Sequence, residues 1–225
     1  MRPPVRIAAA ACRIMLVMVV LFIMVGSMGC GQNVTSPVAG PNTAQQENLA
    51  CVAREVFGDP AQSPYVLPYP VGASYRVSAN CCDTDNAHYN ELAYDFMMPI
   101  GADVIAMRAG VVEAVVDHFS DNGSDNTQSN YIAVRHDDGT VAGYGHTRQG
   151  GAVVHVGDRV AQGQIITHAG SSGTAGFPHL HVGVFPGTVW WRTHDVAFNF
   201  RNAAGAVDAR GGLIKNQTYT ALPSA

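Results

Sequence analysis

Phe177-Pro-His-Leu-His-Val-Gly-Val-Phe185 is the stretch from which the rest of the chain can be read. In an extended strand successive side chains point to opposite faces. His179 and His181 therefore leave one side together, while Leu180 enters the core. The preceding Gly170-Ser-Ser-Gly-Thr-Ala-Gly176 gives a backbone free to turn and bring that face up to a pocket. Two neutral imidazoles side by side at the mouth of a β-structure suit a zinc ion. Exposed strands also carry histidines without any chemistry, so a metal reading needs further ligands from elsewhere in the chain.

Working outward, Val104-Ile-Ala-Met107, Val111-Val-Glu-Ala-Val-Val116, Tyr131-Ile-Ala-Val-Arg135, Val153-Val-His-Val156 and Gln164-Ile-Ile-Thr167 are short runs rich in branched residues. Turn signals at Asp121-Asn-Gly123, Asp138-Gly139 and Gly157-Asp158 separate them. Between Tyr65 and Phe185 no helical period is sustained. The pattern predicts an all-β domain, an antiparallel sheet folded on itself.

Further pieces have matching chemistry: Asp95-Phe-Met-Met-Pro-Ile-Gly101 with His88 upstream, Ala106-Met-Arg-Ala-Gly-Val-Val112, Tyr144-Gly-His146 and Val153-Val-His-Val-Gly-Asp-Arg-Val-Ala-Gln-Gly-Gln164. With His179-Leu-His181, they follow the order of motifs in the lysostaphin-like (LytM-type) zinc endopeptidases of bacterial cell walls, which the chain resembles from about His88 to Phe185. The resemblance implies a lysostaphin-like β architecture. It also implies Zn2+ held by His88, Asp95 and His181, catalysis by His146 and His179, and a peptidoglycan peptide as substrate. Two imidazoles and one carboxylate would leave a net positive centre that lowers the pKa of a water and polarises a carbonyl. With no His-Glu-x-x-His glutamate to act as base, His146 and His179 are left to share proton transfer and oxyanion stabilisation. Tyr144 is expected on the face of His146 by strand alternation, where it would orient that ring or the substrate.

The chain departs from the common pattern at one point. The family's first histidine usually stands four residues before the aspartate, and here that position is Glu91, whereas His88 stands seven before. Imidazole is the better match for a borderline-soft ion, and a second carboxylate would cancel the positive charge of the centre. In an extended segment Glu91 would also lie about 13 Å from Asp95. His88 is therefore the expected ligand and Glu91 a surface residue.

Residues 1–29 hold three arginines and no acid, and Ile14 to Val25 is an unbroken apolar run. This reads as a secretory signal, the run being shorter than the roughly 20 residues of a bilayer span. Its removal takes the formal charge from −4 to −7, which argues against nucleic acid as a partner. Ser27-Met-Gly-Cys30 resembles a lipobox, implying a membrane anchor through lipidated Cys30 and a location facing the periplasm or cell wall. Residues 30–60 read as a polar tether, 61–205 as the peptidase domain and 206–225 as a C-terminal tail. Beyond the tether's start lie Cys51, Cys81 and Cys82; an exported chain would join Cys51 to one of the pair and leave an odd thiol.

The remaining histidines, His118, His136, His155, His168 and His194, have no motif support and read as structural. Asp121-Asn-Gly-Ser-Asp125 has Ile132 where a calcium loop needs its glutamate, so a hairpin turn is expected. Trp190-Trp191 fits either a substrate groove or a buried sheet edge. Two rival functions remain. A wall-binding or amidase-activating module of the same fold would lack ligands, yet all five positions can be filled here. A biotinyl- or lipoyl-type carrier shares the Val156-Gly-Asp-Arg-Val-Ala-Gln-Gly-Gln164 turn but needs a lysine at a hairpin tip. The chain's single lysine, Lys215, lies in the tail.

Overall fold

The branched runs become strands wherever alternate residues find a core to enter. A computed structural model of the protein describes residues 43–85, 88–187 and 195–224. Its elements are α1 (Thr43–Ala53), β1 (Ser74–Ala79), β2 (Ala93–Phe96), β3 (Asp103–Ile105), β4 (Gly110–Val116), β5 (Tyr131–Arg135) and β6 (Thr140–Gly145), followed by β7 (Arg159–Val160), β8 (Ile165–His168), β9 (Leu180–Pro186), β10 (Ala203–Ala204) and β11 (Thr218–Ala221). Nine strands form one sheet in the order β10-β11-β1-β2-β9-β6-β5-β4-β7, and β3 pairs with β8 beside it. Every pairing is antiparallel, as the sequence pattern predicts.

Register decides what each face of the central strands carries. Tyr94 lies opposite Val182, Val182 opposite Tyr144, and Tyr144 opposite Ile132; Phe96 lies opposite Leu180. All six are fully buried, at about 1.5–3 kcal/mol for each large apolar side chain withdrawn from water. Beneath β2, Tyr94 and Phe96 pack against Phe198 and Phe200 with ring centroids 5.4–5.9 Å apart. The other face of the same strands is where Asp95 and His181 stand.

Several expectations change. Val153–Val156 is irregular chain leading into a turn, not a strand: the Asp158 carboxylate accepts the His155 N–H at 2.8 Å, and Val153 and Val156 are exposed. The Asp121–Asp125 segment belongs to a long β4–β5 connection, residues 117–130, rather than a tight hairpin turn. Inside the stretch expected as a tether, residues 43–53 are helical. α1 is held by a Cys51–Cys82 disulfide and by Arg54, which pairs with buried Asp195 and donates to the Asn90 carbonyl at 2.9 Å. Cys81 is the odd thiol, buried in the core. The expected tail is structured too, with β11 pairing to β1 and Tyr219 wholly buried. Residues 1–29, Cys30, Trp190-Trp191 and His194 lie outside the described residues.

Candidate metal centre

Three neighbouring strands supply the site. β2 and β9 set Asp95 opposite His181, and β9 and β6 set His181 opposite Gly145. Directly opposed residues of an antiparallel pair share a face, so Asp95 and His181 converge by register alone. The His181 Nδ1 atom lies 2.8 Å from Asp95 Oδ1. His88 arrives from the loop before β2, fully buried, with Nε2 3.2 Å from the same Asp95 oxygen and 3.1 Å from His181 Nδ1. The remaining ring nitrogen of His88, Nδ1, meets the Asn80 carbonyl at 3.1 Å; since a carbonyl only accepts, Nδ1 carries the proton and Nε2 a lone pair.

His146 follows the last residue of β6 with φ +58°. This left-handed backbone breaks the alternation and turns the imidazole away from the face Tyr144 occupies. Tyr144 is therefore no partner of His146. It is wholly buried, and its hydroxyl accepts the Met107 N–H at 2.7 Å. His146 Nδ1 donates to the Ser172 carbonyl at 2.8 Å, with the Ser129 hydroxyl at 3.3 Å. His179 Nδ1 donates to the Phe177 carbonyl at 2.9 Å, and its Nε2 stands 3.6 Å from Asp95 Oδ2. The two rings are 4.6 Å apart, centroid to centroid, and His146 is 6.0 Å from His181. Both thus have Nδ1 tied to a backbone carbonyl, with Nε2 left as the basic nitrogen.

The electrostatics separate these groups. Burial alone would raise Asp95, but the His88 and His181 imidazoles reverse this and hold its carboxyl well below the usual range. Burial would pull His181 down; Glu91 and Asp95 overcome that and push it up to about 10. For His146 burial, reinforced by His179 and His181, lowers the pKa to about 4. Burial lowers His179 as well, against the attraction of Asp95. Near neutral pH the latter two are uncharged bases, while His181 carries a proton between two carboxylates.

All five residues expected from the sequence, His88, Asp95, His146, His179 and His181, are brought together. Glu91 departs from expectation: it is buried at 3% exposure, with Oε1 3.3 Å from His181 Nε2. Its distance from Asp95 along the strand is no barrier, because the His181 ring spans the gap between them. Among the described residues, His88, Glu91 and His181 offer donor atoms all within 4.8 Å of one another. The supporting contacts of Ser129, Ser172 and Asn80 had no sequence signal, since two of the three are made by backbone carbonyls.

The donor set fits a zinc ion. Bonds of 2.0–2.1 Å in a tetrahedron imply donor–donor edges of roughly 3.3–3.4 Å; the edges among His88 Nε2, Asp95 Oδ1 and His181 Nδ1 are 3.2, 3.1 and 2.8 Å. Two nitrogens facing each other across 3.1 Å need a proton or a cation to bind them.

An antiparallel β-domain with a histidine–carboxylate centre on its central strands is the class of protein these features define. Residues 89–191, just under half of the chain, match the model for peptidase family M23. The match begins one residue after His88. Two peptidoglycan DD-endopeptidases of Vibrio cholerae are similar in sequence. ShyC is 32% identical over 87 residues, covering 39% of this chain and 18% of ShyC. ShyA is 31% identical over 121 residues, covering 50% of this chain and 25% of ShyA. The matched region thus spans a quarter or less of the length of these relatives. Among solved structures, the catalytic domain of lysostaphin from Staphylococcus simulans is 29% identical, with a TM-score of 0.40, covering 60% of this chain and 84% of that one.

Proposed function

We propose that the protein is an exported zinc metalloendopeptidase that hydrolyses peptide cross-bridges of bacterial peptidoglycan. The observation that carries this reading is the arrangement of His146 and His179. Each has Nδ1 fixed on a backbone carbonyl, and the pair stands beside a separate cluster of three donor atoms. The match to the M23 family model and the similarity to enzymes described as peptidoglycan DD-endopeptidases support the substrate class.

His88 Nε2, Asp95 Oδ1 and His181 Nδ1 would hold the zinc ion, which when bound supplies a Lewis acid and lowers the pKa of a water. The basic Nε2 atoms of His146 and His179 provide the proton inventory. One takes the proton released as water adds to the scissile carbonyl and returns it to the leaving amine. While protonated, that ring donates a hydrogen bond to the negative charge on the carbonyl oxygen, and the other ring takes the water's second proton as the tetrahedral adduct collapses to a carboxylate. His179 is buried and His146 half-buried, which limits the water that competes for these hydrogen bonds.

Metal content and digestion of purified peptidoglycan test the division of roles. Asp95→Ala and His181→Ala are expected to lose both zinc and hydrolysis. His146→Ala is expected to keep one zinc per chain while hydrolysis falls by at least about 100-fold. Zinc lost from His146→Ala would overturn the assignment, and a zinc-loaded wild type that binds peptidoglycan without cutting it would favour a binding module.

In the same reading the chain is anchored outside the cytoplasm through acylated Cys30, motivated by the apolar run ending at Gly29-Cys30. Among the described residues no helix is long and apolar enough to cross a membrane. Acyl-chain labelling should mark the wild type and spare Cys30→Ala; equal labelling of the two would refute the anchor.

A further inference from the structure

The buried carboxylate of Glu91 has no part in the proton transfers above, yet it occupies the motif position where the family usually carries its first histidine. Glu91 Oε1 lies 3.3 Å from His181 Nε2, while Nδ1 of the same ring faces Asp95 Oδ1 at 2.8 Å and His88 Nε2 at 3.1 Å. The two nitrogens of an imidazole point in diverging directions, so one ring cannot offer both to one ion. With Nδ1 in the donor triangle, Nε2 carries the hydrogen and Glu91 accepts it. The loop backbone holds the carboxylate there: the Glu91 N–H donates to the His88 carbonyl at 3.1 Å, and the Glu91 carbonyl accepts the Cys82 N–H at 2.9 Å. Cys82 is itself cross-linked to α1.

From this geometry we infer that Glu91 is a positioning residue that selects Nδ1 of His181 as the metal-binding nitrogen and locks the ring's orientation. The inference rests on the zinc reading above. A ligating histidine usually donates its other ring N–H to a carboxylate or carbonyl, which fixes the tautomer and raises the basicity of the ligating nitrogen. His88 follows the same rule through the Asn80 carbonyl, 3.1 Å from its Nδ1. Both imidazoles of the triangle thus have their distal nitrogens held, one by a carbonyl and one by a carboxylate. Glu91 thus places a carboxylate on the outer side of His181, and His88 reaches the triangle from further upstream.

Zinc affinity, measured by chelator competition on the full chain, tests this without reference to activity. The expected result is one zinc per chain in wild type, binding about 10–100-fold weaker in Glu91→Ala, and an intermediate affinity in Glu91→Gln, whose amide oxygen accepts the same hydrogen bond. Glu91→Gln is nearly isosteric, so its partial rescue separates positioning from loss of fold. Long-range 1H–15N spectra of the zinc-loaded wild type should show His181 protonated at Nε2 and ligated at Nδ1. Ligation through Nε2, or loss of zinc from Glu91→Gln as complete as from Asp95→Ala, would overturn the inference and make Glu91 a ligand. Unchanged affinity in Glu91→Ala would make it a bystander. A wild type that binds no zinc would instead remove the metallopeptidase reading itself.

Discussion

His146 adopts φ +58°, a region that L-residues other than glycine enter at a cost of about 1–2 kcal/mol. The conformation persists because its surroundings over-determine it: the Ser172 carbonyl and the Ser129 hydroxyl both hold Nδ1. Without the left-handed turn, strand alternation would place the ring with Tyr144 in the core. Local strain is thus the means by which a core-facing position delivers a base to the opposite face. Comparing His146→Gly with His146→Ala isolates this strain, because both lose the imidazole and only alanine keeps a Cβ. The glycine variant should be more stable by about 1 kcal/mol in urea unfolding. An alanine variant of equal or greater stability would mean that the backbone there relaxes freely.

At the scale of elements, the strands and the loop before β2 contribute to the site by different means. Asp95 and His181 are set by the β2–β9 register, where a slip of one residue would turn both to the wrong face. His88 and Glu91 stand on a loop whose position depends on α1. Cys51–Cys82 ties the two covalently, Asn48 Nδ2 donates to the Cys82 carbonyl at 3.1 Å, and Arg54 reaches the Asn90 carbonyl. Asp195 adds a staple, accepting the Leu92 N–H at 2.7 Å while it pairs with Arg54. A cross-link closing a loop of sequence separation 31 stabilises by about 3–4 kcal/mol on the chain-entropy account. Replacing Cys51 and Cys82 together by serine should lower unfolding stability by that order. It should also weaken zinc binding, since the loop carrying His88 and Glu91 is loosened. Zinc affinity equal to wild type at reduced stability would confine the cross-link to global stability.

Over the whole molecule, the nine-stranded sheet is completed by chain from both sides of the peptidase motifs. β11 pairs with β1, and Tyr219 sits at the centre of that contact. Its carbonyl accepts the Tyr69 hydroxyl at 2.9 Å, and its own hydroxyl donates to the Ala206 carbonyl at 2.6 Å while accepting the Ile214 N–H at 2.8 Å. A chain truncated after Gly205 would leave Tyr69 and the β1 edge unpaired. It should lose the single cooperative melting transition and its zinc with it; a truncated chain that melts like wild type would show β11 to be dispensable. The antiparallel sheet and the shared face of His179 and His181 were legible in the sequence through a two-residue period, and the grouping of His88, Asp95, His146, His179 and His181 was implied by the order of the motifs. The burial of Glu91, the face of His146, the partner of Cys51 and the strand at the end of the chain were decided by tertiary structure alone. Each of these depends on where a segment distant in sequence comes to rest: His181 beside Glu91, Ser172 beside His146, Cys82 beside α1 and Tyr69 beneath Tyr219. No local pattern encodes such a meeting, because the free energy that selects it is released only when both segments are packed.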